Sequence, residues 1–163
     1  MAQTIQMETT QGPVTIKLRP DLAPNHVERI TELAREGAYD NVAFHRVIDG
    51  FMAQTGDVQH GKPDGNPGLA GTGGSSKPDL KAEFSDESHV RGTCSMARAQ
   101  NPNSANSQFF ICFEDAPHLN RQYTVWGEVA DGMDNVDKLK RGSGGGGAVT
   151  DPDRIVSMTV VED

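Results

Sequence analysis

Short hydrophobic runs with a period of two residues constrain this chain most. Ile5 and Met7 alternate with polar residues, and Val14, Ile16 and Leu18 do the same after a Thr-Gln-Gly turn. Such alternation is typical of strands with one buried face, so this pair predicts a β-hairpin. Six further runs, each bounded by Gly, Pro, Asn or Asp, are predicted strands: 43–47, 51–55, 93–98, 108–113, 124–129 and 156–161. Eight short strands predict a closed antiparallel β-barrel in an all-β dominated fold.

Only two segments have helical spacing. The first carries its apolar residues on one stripe, begins at Pro24 and ends before Gly37, which are the expected start and stop residues. The second, 133–141, has acidic residues early and basic residues late, which suits the helix dipole. Because two helices on a strand-rich chain cannot form their own core, we expect both to cap the open ends of the barrel.

Composition limits the size and the partners of the protein. The 163 residues, 35% of them hydrophobic, are enough for one domain spanning 1–163. A net charge of −8 without a basic cluster argues against nucleic acid. No apolar run is long enough to cross a membrane, and the polar start, 1–4, does not resemble a secretory signal, so we expect a cytoplasmic location and no membrane contact.

The residues that usually bind metals or phosphates are not grouped for that purpose. Cys94 and Cys112 form no C-x-x-C motif and are expected to be reduced core thiols, while the five histidines are scattered, so no metal is predicted. The glycine run 144–147 lacks the lysine of a phosphate-binding loop and is expected to be a surface turn. The Gly- and Pro-rich region 58–78 is expected to be a long irregular loop.

The stretch 44–57, FHRVIDGFMAQTGD, combines aromatic and apolar residues with one arginine and one glutamine, a mixture that suits a site better than a core. Three further blocks follow it: GTGG at 71–74, SMA at 95–97 and SQFFI at 107–111. In this order the blocks closely resemble the cyclophilins, the cyclosporin-binding family of peptidyl-prolyl cis-trans isomerases. The resemblance implies an enzyme with a barrel fold and two capping helices.

The reaction of that family explains why an arginine would be needed. Rotation about an X-Pro bond must break amide resonance against a barrier of roughly 18–20 kcal/mol. At the twisted midpoint the prolyl nitrogen regains a lone pair, which a fixed cationic donor stabilises more than it stabilises either planar state. Arg46 suits this role because its guanidinium is planar and always charged. Gln54, in the same motif, becomes the predicted anchor for the substrate amide.

The resemblance also assigns residues to a substrate groove. The proline pocket is implied to consist of four apolar residues: Phe51, Met52, Phe110 and Leu119. Ala97 and Arg98 are implied to present backbone groups to the peptide, Gln108 to line the groove, and Thr72 to gate residues next to the proline. Without the resemblance, the four apolar residues would be interpreted as ordinary core and Arg46 as a surface or ion-paired side chain.

Two positions depart from the familiar eukaryotic pattern and resemble bacterial members instead. His118 stands where well-known members carry a tryptophan, so only weak cyclosporin binding is expected. Tyr123 stands where those members carry histidine, and its phenol keeps an aromatic face and one donor for the groove wall. The segment 98–105 is about one residue longer than the familiar version, which leaves Arg98 the least secure of these assignments.

We therefore expect a monomeric isomerase, without a cofactor, that acts on X-Pro bonds of unfolded or flexible polypeptides and assists protein folding. The alternative is a non-catalytic binding module, or holdase, that keeps Pro-containing segments in the same groove without isomerising them. A nucleotide-binding protein built on the glycine runs is set aside, because the chain lacks the required lysine motif.

Overall fold

The computed structural model describes residues 2–143 and 146–162 of the chain. Eight strands and two helices lie in this part, as the sequence predicts. In chain order they are β1 (Ala2–Thr9), β2 (Gly12–Leu18), α1 (Pro24–Arg35), β3 (Arg46–Ile48), β4 (Met52–Thr55), β5 (Thr93–Met96), β6 (Phe109–Cys112), β7 (Val125–Asp131), α2 (Met133–Asp137) and β8 (Ile155–Glu162). Neither helix of this part is long and apolar enough to cross a bilayer. The predicted turn at 144–147 falls partly outside the described residues.

All eight strands belong to one antiparallel sheet with the order β3-β4-β6-β5-β7-β2-β1-β8. The prediction of a closed barrel is wrong, because β3 and β8 remain the two edges of an open half-barrel. Only isolated bridges join the chain near these edges, at Ala43 with Arg154 and at Arg46 with Ala148. β3 has only three residues, and the segment 148–154 before β8 consists of bends and single bridges rather than a strand, so there is no continuous ladder between the described edges.

The concave side of the sheet encloses the main core. The alternating residues of the β1–β2 hairpin, such as Ile5 and Ile16, are fully buried there. Phe109 packs edge-on against the Trp126 ring at 5.2 Å and against the Tyr39 ring at 5.7 Å, a favourable geometry for aromatic pairs. Helix α1 packs on β7 and β8 through its apolar stripe, and α2 packs on β2.

A second, smaller apolar cluster lies on the other face of the same sheet. On β6, Phe109 and Ile111 point into the main core, whereas Phe110 and Cys112 point into the second cluster, so all four residues are buried. Successive side chains of a strand point to opposite faces, which explains this division. The other buried members of the second cluster are Met52, Ala116 and Leu119.

The second helix is shorter than the predicted 133–141, because side chains replace the helical hydrogen bonds of its last turn. The Lys140 N–H donates to the Asp153 carboxylate at 2.7 Å instead of to a helical carbonyl. Arg141 Nη1 donates to the Asp137 carbonyl, also at 2.7 Å. These two hydrogen bonds satisfy backbone groups at or just after the end of α2, and the bond to Asp153 joins this segment to the residues that precede β8.

The start of α1 is capped by a residue from a distant loop. Helix α1 begins after Ala23, whose side chain offers no acceptor to the free N–H groups of the first turn. Glu83 supplies it, accepting from the N–H of Asn25 at 3.1 Å, from the N–H of His26 at 2.9 Å, and facing His26 Nδ1 at 2.6 Å. A carboxylate at this position also interacts favourably with the helix dipole.

We expect Glu83→Ala to lower the free energy of unfolding by about 1–2 kcal/mol, the usual effect of losing a helix cap. Urea unfolding followed by circular dichroism measures this change. The matched control is Glu162→Ala, which removes the exposed pair between Glu162 and Arg35 at the other end of the same helix. An equal loss in both variants would show that Glu83 does not cap α1.

Candidate active site

Arg46 and Gln54 face each other across the β3–β4 pair. Arg46 Nη1 donates to Gln54 Oε1 at 3.2 Å, and Arg46 Nε donates to the Gly146 carbonyl at 3.0 Å. In the described part of the chain, no carboxylate forms an ion pair with Arg46. Two neutral acceptors therefore orient the guanidinium while its positive charge is left uncompensated.

A chain of side-chain amides continues from Arg46 across the sheet. Because Gln54 Oε1 accepts from Arg46, the Gln54 NH₂ group points the other way and donates to Gln108 Oε1 at 3.0 Å. The Gln108 NH₂ group then donates to the Gly73 carbonyl at 2.9 Å. Each hydrogen bond polarises the next, and the chain fixes the orientation of all three side chains.

An apolar cavity of ≈ 180 Å³ lies beside the guanidinium of Arg46. Its floor is the second apolar cluster, where Met52, Phe110 and Leu119 are buried. Its lining contains nine of the residues that the sequence analysis assigned to the site: Arg46, Phe51, Met52, Gln54, Ala97, Arg98, Phe110, Leu119 and Tyr123. The structure therefore brings a charged donor and an apolar pocket to the same place.

The remaining three assigned residues, Thr72, Gln108 and His118, lie next to this cavity rather than in it. The His118 ring packs on Phe51 with centroids 5.4 Å apart, and the His118 side chain is exposed. Gln108 lines a second cavity of ≈ 250 Å³, together with Thr72. The two cavities form one groove, since they share Gln54, Ala97 and Arg98.

The two arginines of the groove differ in their free donors. The Arg98 guanidinium stacks 4.6 Å above the Tyr123 ring and donates to the Gln122 carbonyl through Nε and Nη2, at 3.2 and 2.6 Å. Its Nη1 donates to the Ala99 carbonyl at 2.9 Å. All three nitrogens of Arg98 are thus occupied, whereas among the described residues Arg46 Nη2 has no acceptor. Arg46 therefore keeps a whole nitrogen, Nη2, for a bound molecule, whereas every nitrogen of Arg98 already donates to a carbonyl.

Sequence reasoning missed part of the second cavity. Asn106 and Ser104 line it, and the Asn106 side chain binds the opposite loop through Ser75 and Lys77. These residues precede the SQFFI block and lie in or beside the segment 98–105, where the chain is longer than the familiar pattern. Ser104 lies in none of the blocks, and the resemblance assigns no role to Asn106, although it directly precedes the SQFFI block.

Sequence reasoning also missed the role of Asp57, although it ends the FHRVIDGFMAQTGD block. Its buried carboxylate accepts four backbone N–H bonds, from Gln59, His60, Gly71 and Gly73, at 2.8–3.1 Å. Burial by itself would raise the pKa of Asp57, but these bonds outweigh it and lower the pKa below the usual range. Asp57 therefore holds both ends of the loop that presents the Gly73 carbonyl to Gln108.

A buried histidine supports the floor of the apolar cavity from behind. The His89 ring lies parallel to Phe110, with centroids 6.2 Å apart. Its Nδ1 faces Asn120 Oδ1 at 3.2 Å and its Nε2 faces Ser95 Oγ at 3.0 Å. Because an amide oxygen can only accept, Nδ1 carries a hydrogen. Burial lowers the pKa of His89, which favours the neutral ring.

His26, His45 and His89 all have a lowered pKa, and burial is the main cause in each case. The unfolded chain therefore binds protons at a higher pH than the folded chain does. We expect stability to be complete above about pH 6.5 and to decline as the pH falls below it, by up to about 1.4 kcal/mol per pH unit for each histidine. Urea unfolding between pH 7.5 and 5 measures this slope.

The control for this prediction exchanges one histidine at a time. His89→Gln should reduce the slope, because it removes one of the three buried histidines whose pKa is lowered in the folded chain. A slope that is identical in wild type and His89→Gln would contradict the assignment of the lost stability to His89.

The fold and the groove together define a class of protein. Residues 4–160 match the family described as cyclophilin type peptidyl-prolyl cis-trans isomerase/CLD. The chain belongs to this family of peptidyl-prolyl cis-trans isomerases.

Curated relatives carry the same name. A probable peptidyl-prolyl cis-trans isomerase of Brucella suis is 60% identical over 163 residues, which covers 98% of this chain and 83% of the relative. Peptidyl-prolyl cis-trans isomerase B of Escherichia coli is 39% identical over 145 residues, which covers 83% of each chain.

Solved structures of cyclophilins have the same fold. A cyclophilin type peptidyl-prolyl cis-trans isomerase of Cryptosporidium parvum, crystallised in the presence of the dipeptide Ala-Pro, superposes with a TM-score of 0.84 at 27% identity and covers 99% of this chain and 100% of its own. A cyclophilin of Hirschia baltica has a TM-score of 0.83 at 28% identity, covering 98% of this chain and 74% of its own.

Proposed function

We propose that this isomerase accelerates rotation about X-Pro bonds by presenting the Arg46 guanidinium to the prolyl nitrogen above the apolar cavity. The proposal is based mainly on the hydrogen-bond partners and the position of the Arg46 guanidinium. Its guanidinium is oriented by Gln54 and by the Gly146 carbonyl, has no carboxylate partner among the described residues, and borders the apolar cavity. A preorganised, uncompensated donor is what a developing lone pair requires.

The proline ring would occupy the ≈ 180 Å³ cavity over Met52, Phe110 and Leu119. With the ring held there, the chain on the other side of the X-Pro bond can rotate. As the amide twists, its nitrogen becomes pyramidal and accepts a hydrogen bond from Arg46 Nη2, while Nη1 and Nε keep their protein acceptors. The donor thus stabilises the twisted amide more than either planar form.

Gln54 would anchor the carbonyl group that precedes the proline. One hydrogen of its NH₂ group is used by Gln108, and the other is available to the substrate. The backbone of Ala97 and Arg98, on the opposite wall, would hold the rest of the peptide. A millionfold acceleration needs about 8 kcal/mol, and one donor is usually worth about 3–4 kcal/mol, so these anchors must supply the rest.

The substrates would be Pro-containing segments of unfolded or flexible proteins, with 1–163 acting as one isomerase domain in protein folding. The Cryptosporidium parvum structure obtained in the presence of Ala-Pro supports a substrate of this kind. The weak cyclosporin binding, the monomeric state and the cytoplasmic location stay predictions from the sequence.

The role of Arg46 is tested by the cis–trans exchange rate of a short Ala-Pro peptide, measured by two-dimensional exchange NMR without a coupled protease. We expect Arg46→Ala to reduce the catalysed rate about 100-fold, the usual effect of removing one transition-state donor. Arg46→Lys should be nearly as harmful, because a flexible ammonium cannot hold the planar geometry that Gln54 and Gly146 impose.

The control is Arg121→Ala, which removes an exposed arginine paired with Asp86 outside the groove and should leave the rate unchanged. If the wild type binds the peptide but does not change its exchange rate, the binding module takes the place of the enzyme. If Arg46→Lys keeps full activity, charge alone suffices and the role of a planar donor is wrong.

A further inference from the structure

A buried arginine on α1 is left without a role by the site described above. The Arg29 side chain is 6% exposed, and both of its hydrogen-bond partners are backbone carbonyls. Its Nη2 donates to the Pro78 carbonyl at 2.7 Å and its Nη1 to the Asn106 carbonyl at 3.2 Å. Within the described ranges no carboxylate forms an ion pair with it. Burying a guanidinium without an acid partner costs free energy. An apolar residue would avoid this cost but could not donate hydrogen bonds to the two carbonyls.

The two carbonyls belong to the two segments that meet at the second cavity. Asn106 lines that cavity, and Pro78 ends the long loop that carries Gly71, Thr72 and Gly73 on its other wall. Asn106 also joins the two segments directly, since its Oδ1 accepts from the Ser75 N–H at 2.8 Å. Arg29 therefore lies on the core side of the place where these two segments meet, and it donates one hydrogen bond to each of them.

A second side chain next to α1 acts on the same wall. The hydroxyl of Tyr39, which is fully buried, donates to the Ser107 carbonyl at 2.8 Å. Consecutive carbonyls, those of Asn106 and Ser107, are thus held from behind. The next residue, Gln108, lines the second cavity and is the last side-chain amide in the chain of hydrogen bonds that starts at Arg46.

We propose that Arg29 is a positioning residue that sets the wall of the second cavity, and that it thereby controls the affinity for peptides long enough to reach that cavity. Arg29 does not touch the substrate. Its effect on the chemical step should be small, because Arg46 and Gln54 are also held by the β3–β4 pair and by Gly146. This proposal rests on the proposed function of the groove.

The test compares two substrates: a short Ala-Pro dipeptide derivative, and a longer peptide with three residues on each side of the same Ala-Pro unit. Exchange NMR at several peptide concentrations gives kcat and KM for Arg29→Met. For the longer peptide we expect KM to rise about tenfold, the usual scale of losing a charged hydrogen bond, with kcat within about twofold. For the short peptide both constants should stay within about twofold of the wild type.

Two companion variants separate positioning from a general loss of stability. Arg29→Lys keeps a charged donor for one of the two carbonyls, and should recover part of the affinity for the longer peptide. Tyr39→Phe loses only the bond to Ser107 and should raise the same KM. The control is Arg35→Met on the same helix, an exposed side chain paired with Glu162, which should change neither constant.

Unchanged constants for the longer peptide in folded Arg29→Met, together with a loss of stability, would show that Arg29 is merely structural and overturn the proposal. An equal loss of kcat for both peptides would also overturn it, because the effect would then lie at Arg46. If Arg29→Met does not fold, the KM for the longer peptide is measured with Arg29→Lys and Tyr39→Phe instead, and an unchanged KM in both would overturn the proposal. A wild type that leaves even the short peptide unchanged would instead refute the proposed function.

Discussion

The alternation of side chains along β6 is the constraint on which both the fold and the groove depend. Phe109 and Ile111 lie in the main core, while Phe110 and Cys112 belong to the second apolar cluster, and Phe110 lines the apolar cavity. A shift of one residue in this strand would exchange the two sets, so its register is fixed by burial on both faces. The pairing with β4 then places Gln54 opposite Phe110, which brings the amide chain to the edge of the pocket.

The two arginines of the groove, Arg46 and Arg98, differ in how their charged groups are bound. The chain carries a net charge of −8, yet no carboxylate among the described residues neutralises Arg46, which is oriented by amide and backbone oxygens instead. Each nitrogen of Arg98 donates to a carbonyl, and its guanidinium stacks on the Tyr123 ring. A guanidinium that is oriented but has no acid partner can form a stronger hydrogen bond to the prolyl nitrogen as the amide twists. In a guanidinium paired with an acid, the carboxylate would weaken this stabilisation of the twisted amide.

Charged side chains that are buried or half-buried bind backbone groups in the irregular part of the molecule. Asp57 accepts four N–H bonds at the ends of one loop, Glu83 accepts two at the start of α1, and Arg29 donates to two carbonyls behind the groove. Backbone groups away from helices and strands need such partners when water is excluded. The bonds of Asp57 and Arg29 give the loop 58–78 a defined position, although its only regular element is a 3-10 helix at Pro67–Leu69.

The sequence by itself determined the eight strands and the helix that begins at Pro24, and its resemblance to the cyclophilins indicated the residues that the structure places around the apolar cavity. It could do so because periodicity, helix start and stop residues and the FHRVIDGFMAQTGD block are local properties of the chain. Only the tertiary structure decided that the barrel stays open, that α2 ends at Asp137, and that Arg46 rather than Arg98 keeps a whole nitrogen without an acceptor. These outcomes depend on contacts between residues far apart in sequence, such as Arg29 with Asn106, and no local pattern records which partners will meet.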